Sequence, residues 1–283
     1  MTGGAAGSRR LLLALAGAGT ARAALVGARV LTERPAGAPW RRSNYAGRPV
    51  TLLGGPALAL SATATAVLGA PPGTRAAAAV VGTVSGLVGG YDDLAGARPE
   101  QARDKGLAGH LRALREGRVS AGAVKVAGIG AAAAVAALLT RDRAQGAGTV
   151  VDAVVTTGLV AGGANLLNLL DLRPGRAAKV GAIAAAAALG GPSGSLVSGP
   201  LGASLAVLPD DLGERIMLGD CGANALGSLL GLRLAAMPHR GARATALAVI
   251  TGLTLASEKV SFTKVIEATP GLRELDRLGR LPS

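Results

Sequence analysis

Cysteine, histidine and aromatic residues are scarce, numbering one, two and four in 283 residues. The single cysteine, Cys221, excludes an internal disulfide framework. His110 and His239 stand isolated and argue no metal site. Four aromatics cannot interleave with a basic stripe, and no zinc-finger spacing occurs. Nucleic acid is therefore excluded as a partner despite a formal net charge of +13. Amphipathic periodicity is missing too: 49% of residues are hydrophobic, 17% are charged, and the apolar ones run in long blocks. A soluble chain of this length needs a periodic polar face to cover its surface.

The blocks are what the sequence does have. Stretches 11–31, 50–69, 74–90, 121–140, 148–170, 177–190, 194–208, 222–237 and 241–256 are each largely uncharged. Most approach the about 20 residues that cross roughly 30 Å of hydrocarbon, the two between 177 and 208 being shortest. The expected fold is all-α: a polytopic transmembrane helical bundle of about nine spans, bounded by eight and ten. Residues 1–256 form its transmembrane, catalytic-type domain and 257–283 a C-terminal tail. Abundant Ala and 44 Gly permit close backbone approach between spans.

Charge sets the expected orientation. With the N-terminus outside, loops 32–49, 91–120, 171–179, 209–221 and the tail share one face and hold 19 of the 30 Lys and Arg. The opposite face holds seven: Arg9, Arg10, Arg75, Arg141, Arg143, Arg240 and Arg243. Arg22, Arg29, Lys125 and Arg233 lie in or near spans. The richer face is then cytoplasmic, in the cell membrane. Of seventeen acidic residues, only Asp142 and Asp152 fall elsewhere. Arg9-Arg10, the apolar run and Ala21-Arg22-Ala23 also resemble a secretory signal, but cleavage there would reverse the charge bias.

Four segments on that face carry chemistry. GYDDLAG (90–96) places Asp92 and Asp93 at the end of the third span. NLLNLLD (165–171) sets Asn165, Asn168 and Asp171 at three-residue steps, a stripe on one side of a helix. LGDCGAN (218–224) puts Asp220 among glycines where the eighth span begins. RRSNYAGRPVTLLGG (41–55) brings Arg41, Arg42, Asn44, Tyr45 and Arg48 to the entrance of the second.

Carboxylates at this depth suit metal-assisted phosphoryl transfer, because Mg²⁺ takes one or two carboxylates with substrate phosphates and water. Asp92 or Asp93 with Asp220 would hold the metal and a diphosphate, and Asp171 would position or deprotonate a phosphate nucleophile. Gly219 and Gly222 would let backbone N–H groups approach phosphate oxygens. The plainer readings are solvated helix-end carboxylates for Asp92 and Asp93, a polar helix end for Asp171, and a cap for Asp220. Asp210 and Asp211, after Pro209, read as turn or cap residues. Lys125 reads either as a functional intramembrane charge or as a side chain snorkelling to the interface.

In this order the segments resemble the polyprenyl-phosphate N-acetylhexosamine-1-phosphate transferase superfamily, over about residues 41–235. The resemblance implies transfer of an amino-sugar phosphate from a UDP-sugar to polyprenyl phosphate, release of UMP, and a Mg²⁺ cofactor with Mn²⁺ as substitute. It implies a role in envelope glycan synthesis and a homodimer. It matches Asp92 and Asp93 to the family's paired aspartates, and Asp171 with Asn165 and Asn168 to its asparagine-rich motif. Asp220 matches the metal-binding aspartate of GDxG, and Arg48 the basic residue serving the lipid phosphate. Asn44, Tyr45, Gly219, Gly222, Asn224 and Tyr91 complete the expected substrate contacts, with Tyr91 or Phe262 stacking on a base.

The departures from that pattern are specific. Leu172-Arg173-Pro174 stands where glycine and a second aspartate usually follow, and Ala223-Asn224 follows the GDCG segment in place of serine. Ile216-Met217-Leu218 replaces the aromatic before GDxG, and SEKVSFTKVIE (257–267) stands where a histidine-rich loop is usual. These departures favour an alternative, a non-catalytic relative that binds lipid-linked precursors or scaffolds envelope-synthesis partners. A transporter would require internal repeats, and none is evident.

Overall fold

A computed structural model describes residues 2–95, 115–117, 119–140 and 148–282. The expected positions Gly96, Arg98, Arg103, Lys105, His110, Arg112, Arg118, Arg141, Asp142 and Arg143 lie outside the described residues.

The chain is mostly helical, at 78%. Helix α1 (Thr2–Thr32) leads through a 3-10 turn at Pro35–Trp40 into a two-stranded hairpin, β1 (Arg41–Ser43) and β2 (Pro49–Thr51). Then come α2 (Gly54–Gly69), α3 (Arg75–Ala95), α4 (Ala121–Leu139) and α5 (Gly148–Leu170). Helices α6 (Arg176–Ala187), α7 (Ser195–Leu212), α8 (Gly219–Ala235) and α9 (Arg240–Ser257) follow, and α10 (Phe262–Ala268) and α11 (Leu272–Arg277) close the tail. The hairpin is antiparallel with Arg42 opposite Val50, and Thr51 bridges to Ile216 just before α8. This hairpin is the one addition to an otherwise all-α expectation among the described residues.

Among the described residues three helices are long and apolar enough to cross a membrane: Gly4–Thr32, Ala121–Leu139 and Thr149–Leu170. Helix α2 is apolar but shorter. Helix α6 has only 12 residues, so it rises about 18 Å at 1.5 Å per residue, short of the hydrocarbon thickness. The expected span at 177–190 is thus a helix shorter than the hydrocarbon thickness, whose following residues Ala188, Gly190 and Gly191 are met by Arg233 and Arg10. Large apolar side chains such as Leu12, Leu60, Leu68, Leu87 and Val150 face outward, the outer surface expected of a membrane bundle.

Helix α8 is the axis, packed by α2, α3 and α5. Leu226, Leu229 and Leu232 of α8 join Leu58, Val81 and Val160 in the buried core. Small residues allow the contact: a Cβ on Gly89 of α3 would lie 2.3 Å from the Asp220 carbonyl oxygen, and one on Gly227 of α8 2.3 Å from the Gly163 carbonyl oxygen. Van der Waals packing at small residues is the main attraction available between helices in lipid.

Asp210 and Asp211 are not turn residues. Both lie inside α7 and are buried, at 1% and 2% exposure. Asp210 accepts from Arg22 and Arg29 of α1 at 2.7 Å each and from Arg215 at 2.8 Å, tying the N-terminal helix to α7. The tail docks as well: Arg176 holds Asp276 through two bonds of 2.8 and 3.1 Å, and Lys179 reaches the carbonyls of Leu275 and Asp276.

Candidate active site

Helix ends build the site. An α-helix leaves its first N–H groups without partners, and at α8 they are met from another helix. Asp93, near the end of α3, accepts from the backbone N–H of Asp220 and of Cys221 at 2.9 Å each. Gly219 precedes them with φ +58, and a Cβ there would sit 2.8 Å from the Asp93 carboxylate. Glycine is thus required both for the turn and for the approach.

This corrects one expectation. Gly219 and Gly222 do not leave the α8 N–H groups for phosphate, because the protein's own Asp93 occupies the first of them. The Gly222 N–H bonds the Leu218 carbonyl at 3.2 Å. Its bare face packs on Gly55, whose Cα would be 2.9 Å from a Cβ at Gly222. Nor is Asp220 the cap of its own helix; Asp93 is.

The Asp220 side chain is free to face the site. Lys125, one turn into α4, places Nζ 2.7 Å from Asp92 Oδ2 and 2.5 Å from Asp220 Oδ2. An intramembrane lysine that snorkels would point to the interface; this one instead bridges two carboxylates at the bundle end. Burial, then the hydrogen bond with Asp92, push the Asp220 carboxyl up to about 7. Burial lifts Asp93 to about 6 against the pull of its two backbone donors. Arg42 of β1 donates to the Asp93 carbonyl and fixes the hairpin to α3.

Asp171 follows α5 in a tight turn and accepts from the Gly219 backbone N–H. Burial and the negative charges of Asp211, Asp220 and Asp93 raise it well above the ordinary carboxylate value. The expected asparagine stripe divides here. Asn165 and Asn168 line a cavity of about 370 Å³ between α4, α5 and α9, with Lys125, Asn224 and Thr254. Asp171 instead lines a separate small cavity with Asn44, Tyr45 and Asp211. The helix stops at Leu170, so Asp171 leaves the helical phase that aligned the three positions in sequence. Asn224 is buried with its Nδ2 unpartnered, a donor beside the first cavity.

The hairpin residues are mostly engaged. Asn44 Oδ1 accepts from the N–H groups of Ala46 and Arg48 at 2.9 and 3.0 Å, and its amide donates to Glu214. Arg48 pairs with buried Glu214 at 3.1 Å and reaches the Pro282 carbonyl at 3.0 Å. The Arg173 guanidinium lies 4.5 Å from the Tyr45 ring centroid. Tyr91 lies apart from these, lining an apolar cavity of about 680 Å³ with Trp40, Leu60, Leu87 and Leu94. Phe262 begins α10 and lines none of the cavities that contain Asp171 or Lys125.

The sequence alone left Lys125 undecided, did not single out Glu214, and suggested a turn or cap for the buried Asp211. Only Lys125 carried a signal, as an ionisable side chain within an apolar span.

Among the described residues no group of three or more His, Cys, Asp or Glu could hold a metal. Two carboxylates do converge on one point, the Lys125 Nζ. Hard oxygens about a single cationic centre are the donor set that Mg²⁺ takes when phosphates and water supply the rest. In this structure that point is taken by the Lys125 ammonium. In comparisons with known proteins, no family model matches the chain and no curated protein matches it.

Proposed function

We propose that this chain is a Mg²⁺-dependent phosphoglycosyl transferase of the polyprenyl-phosphate N-acetylhexosamine-1-phosphate transferase type. It moves an N-acetylhexosamine 1-phosphate from a UDP-sugar to polyprenyl phosphate and releases UMP, in envelope glycan synthesis. The observation that carries the reading is convergence. Asp92, Lys125 and Asp220 meet within 2.7 Å although they come from three helices, and Asp171 bonds Gly219 beside them.

In this reading about nine segments traverse the cell membrane with the N-terminus outside, and the motif ends face the cytoplasm. Asp92 and Asp220 hold the cation, Mg²⁺ or Mn²⁺, which when bound neutralises the diphosphate and polarises the phosphorus under attack. Asp93 keeps α8 in register by capping its N-terminus. Lys125, displaced from the carboxylates, turns its ammonium toward phosphate oxygens. Asp171, with its raised proton affinity, accepts a hydrogen bond or proton from the lipid phosphate. The apolar cavity between α2 and α3, which ends at Tyr91 and Leu94, offers space for isoprenoid units.

One observation favours the second reading, a non-catalytic relative that binds lipid-linked precursors. Lys125 already supplies the positive charge that a metal would bring between Asp92 and Asp220. Turnover separates the two. Purified, detergent-solubilised protein is given polyprenyl phosphate and a panel of nucleotide sugars, and nucleoside monophosphate release is followed with and without Mg²⁺. Release that needs the metal and disappears in Asp220→Asn supports the transferase. No release across the panel, with lipid binding intact, supports the precursor-binding protein.

A further inference from the structure

A further cavity lies at the other end of the bundle, where α4 and α8 finish and α5 and α9 begin. Its volume is about 630 Å³, within the roughly 300–1,000 Å³ usual for small-molecule sites. Ala137, in its wall, stands 12 residues beyond Lys125 on α4, about 18 Å at 1.5 Å per residue. The cavity is therefore separate from the candidate active site, and the proposed reaction makes no use of it. Asp152 of α5 lines it with Arg240 and Arg243 of α9.

Charge in this cavity is unbalanced. Asp152 accepts from Arg240 on one oxygen and from Arg243 on the other, at 2.9 Å each, so both oxygens of its carboxylate are engaged. Among the described lining residues one negative charge thus faces two positive ones. Arg243 is the more enclosed cation, its side chain 15% exposed against 59% for Arg240. Its Nε is buried with no hydrogen-bond partner, and a guanidinium has five N–H donors to place. A largely enclosed guanidinium so placed calls for a further acceptor, and its fork suits the oxygens of a phosphate or carboxylate.

The surroundings select among anions. Thr74, Thr140, Thr149 and Thr156 add hydroxyls to the wall, which can donate to or accept from a ligand that carries hydroxyls of its own. Beside these residues in the chain, Leu138 and Leu139 at the end of α4 and Val150, Val151 and Val154 at the start of α5 are exposed. The polar recess therefore adjoins an apolar outer surface, the arrangement that a charged headgroup with apolar chains requires. Basic pockets between transmembrane helices hold anionic lipid headgroups in this way. We propose that the cavity binds one anionic phospholipid, whose single phosphodiester charge meets the surplus positive charge of Arg240 and Arg243 and whose headgroup hydroxyls meet the threonines. Phosphatidylglycerol has that chemistry. The inference needs the chain to lie in a membrane and does not need it to be a transferase.

The test uses full-length protein in detergent and dioleoylphosphatidylglycerol as the probe, with retained lipid counted by native mass spectrometry and thermal unfolding followed in parallel. Wild type is expected to retain one phosphatidylglycerol in preference to dioleoylphosphatidylethanolamine, and to unfold at a higher temperature with it. Arg243→Gln is expected to weaken that binding by about tenfold or more, the scale of one lost charge-assisted hydrogen bond. Arg277→Gln, at an exposed arginine of the tail, is expected to leave it unchanged. If Arg243→Gln does not fold, Arg240→Gln gives the same readout from the more exposed cation. Equal retention of the two lipids overturns the proposal, as does phosphatidylglycerol binding that survives both Arg243→Gln and Arg240→Gln. Stabilisation by inorganic phosphate equal to that by the lipid also overturns it and assigns the cavity to a free anion. None of these readouts involves turnover, so the result is independent of the transferase reading.

Discussion

Two buried ionic clusters in this bundle carry opposite charge balance. At Asp210 one carboxylate gathers three guanidiniums, from Arg22, Arg29 and Arg215. At Lys125 one ammonium is shared by two carboxylates, with Asp93 and Asp171 bearing on Asp220 or on each other. In the first, both oxygens of the acid are bonded and the arginines are about half exposed, so nothing remains for a ligand to complete. In the second, negative charge outnumbers its one internal cation, and the surplus is held in place by helix ends. A saturated cluster fastens elements together. An acid-rich one leaves negative charge that its single lysine does not balance.

That contrast can be broken at several points. In the proposed transferase reading the largest expected effect is on turnover: Asp220→Asn should reduce Mg²⁺-dependent UMP release by about 10²- to 10³-fold, the scale for removing a fixed electrostatic contact to a transition state. Steady-state release assays check it. Gly89→Ala should come next, because its Cβ would meet the Asp220 carbonyl oxygen at 2.3 Å and the Cys221 nitrogen at 2.8 Å. Overpacking of that kind costs about 1–3 kcal/mol, read as a lower unfolding temperature together with loss of the site. Asp210→Asn should cost less, about 1 kcal/mol, because its half-exposed arginine partners turn to solvent. Denaturant unfolding measures it, and turnover by the folded fraction should be unchanged.

A further effect is expected on pH dependence in chelator. Burial raises Asp93 to about 6 and Asp211 and Asp220 to about 7, from an ordinary value of 3.8. Between those limits the folded chain binds more protons than the unfolded one, so stability falls as pH rises. Asp276 acts in the other direction: burial would raise it, but Arg176 pulls it below its ordinary value, so its contribution is lost on acidification. The unfolding temperature without metal should therefore be highest near pH 4 and decline towards pH 7. Added Mg²⁺ should recover the loss at the higher pH, and differential scanning calorimetry at both values checks the sign.

Part of the fold was legible in the sequence. Long uncharged blocks, such as 121–140 and 148–170, match α4 and α5 nearly end to end. The ends of such blocks are where acidic residues accumulate, so Asp92, Asp93, Asp171 and Asp220 stood out by position alone. What could not be read was how their valences are spent. Asp92 and Asp93 are adjacent and alike in sequence, yet one carboxylate holds an ammonium and the other two backbone N–H groups. Asn168 and Asp171 share a helical stripe on paper but line different cavities, because α5 ends between them.

The sequence by itself determined the class of solvent this chain faces, because block length and hydropathy are local properties and each span satisfies its backbone internally. It also determined which carboxylates gather at span ends. Tertiary structure alone decided that Lys125 bridges Asp92 and Asp220 and that Asp93 caps α8. Those pairings link residues 33 to 128 positions apart. They follow from helix crossings set by small residues such as Gly55, Gly89 and Gly222, a geometry that no local pattern of charge or hydropathy encodes.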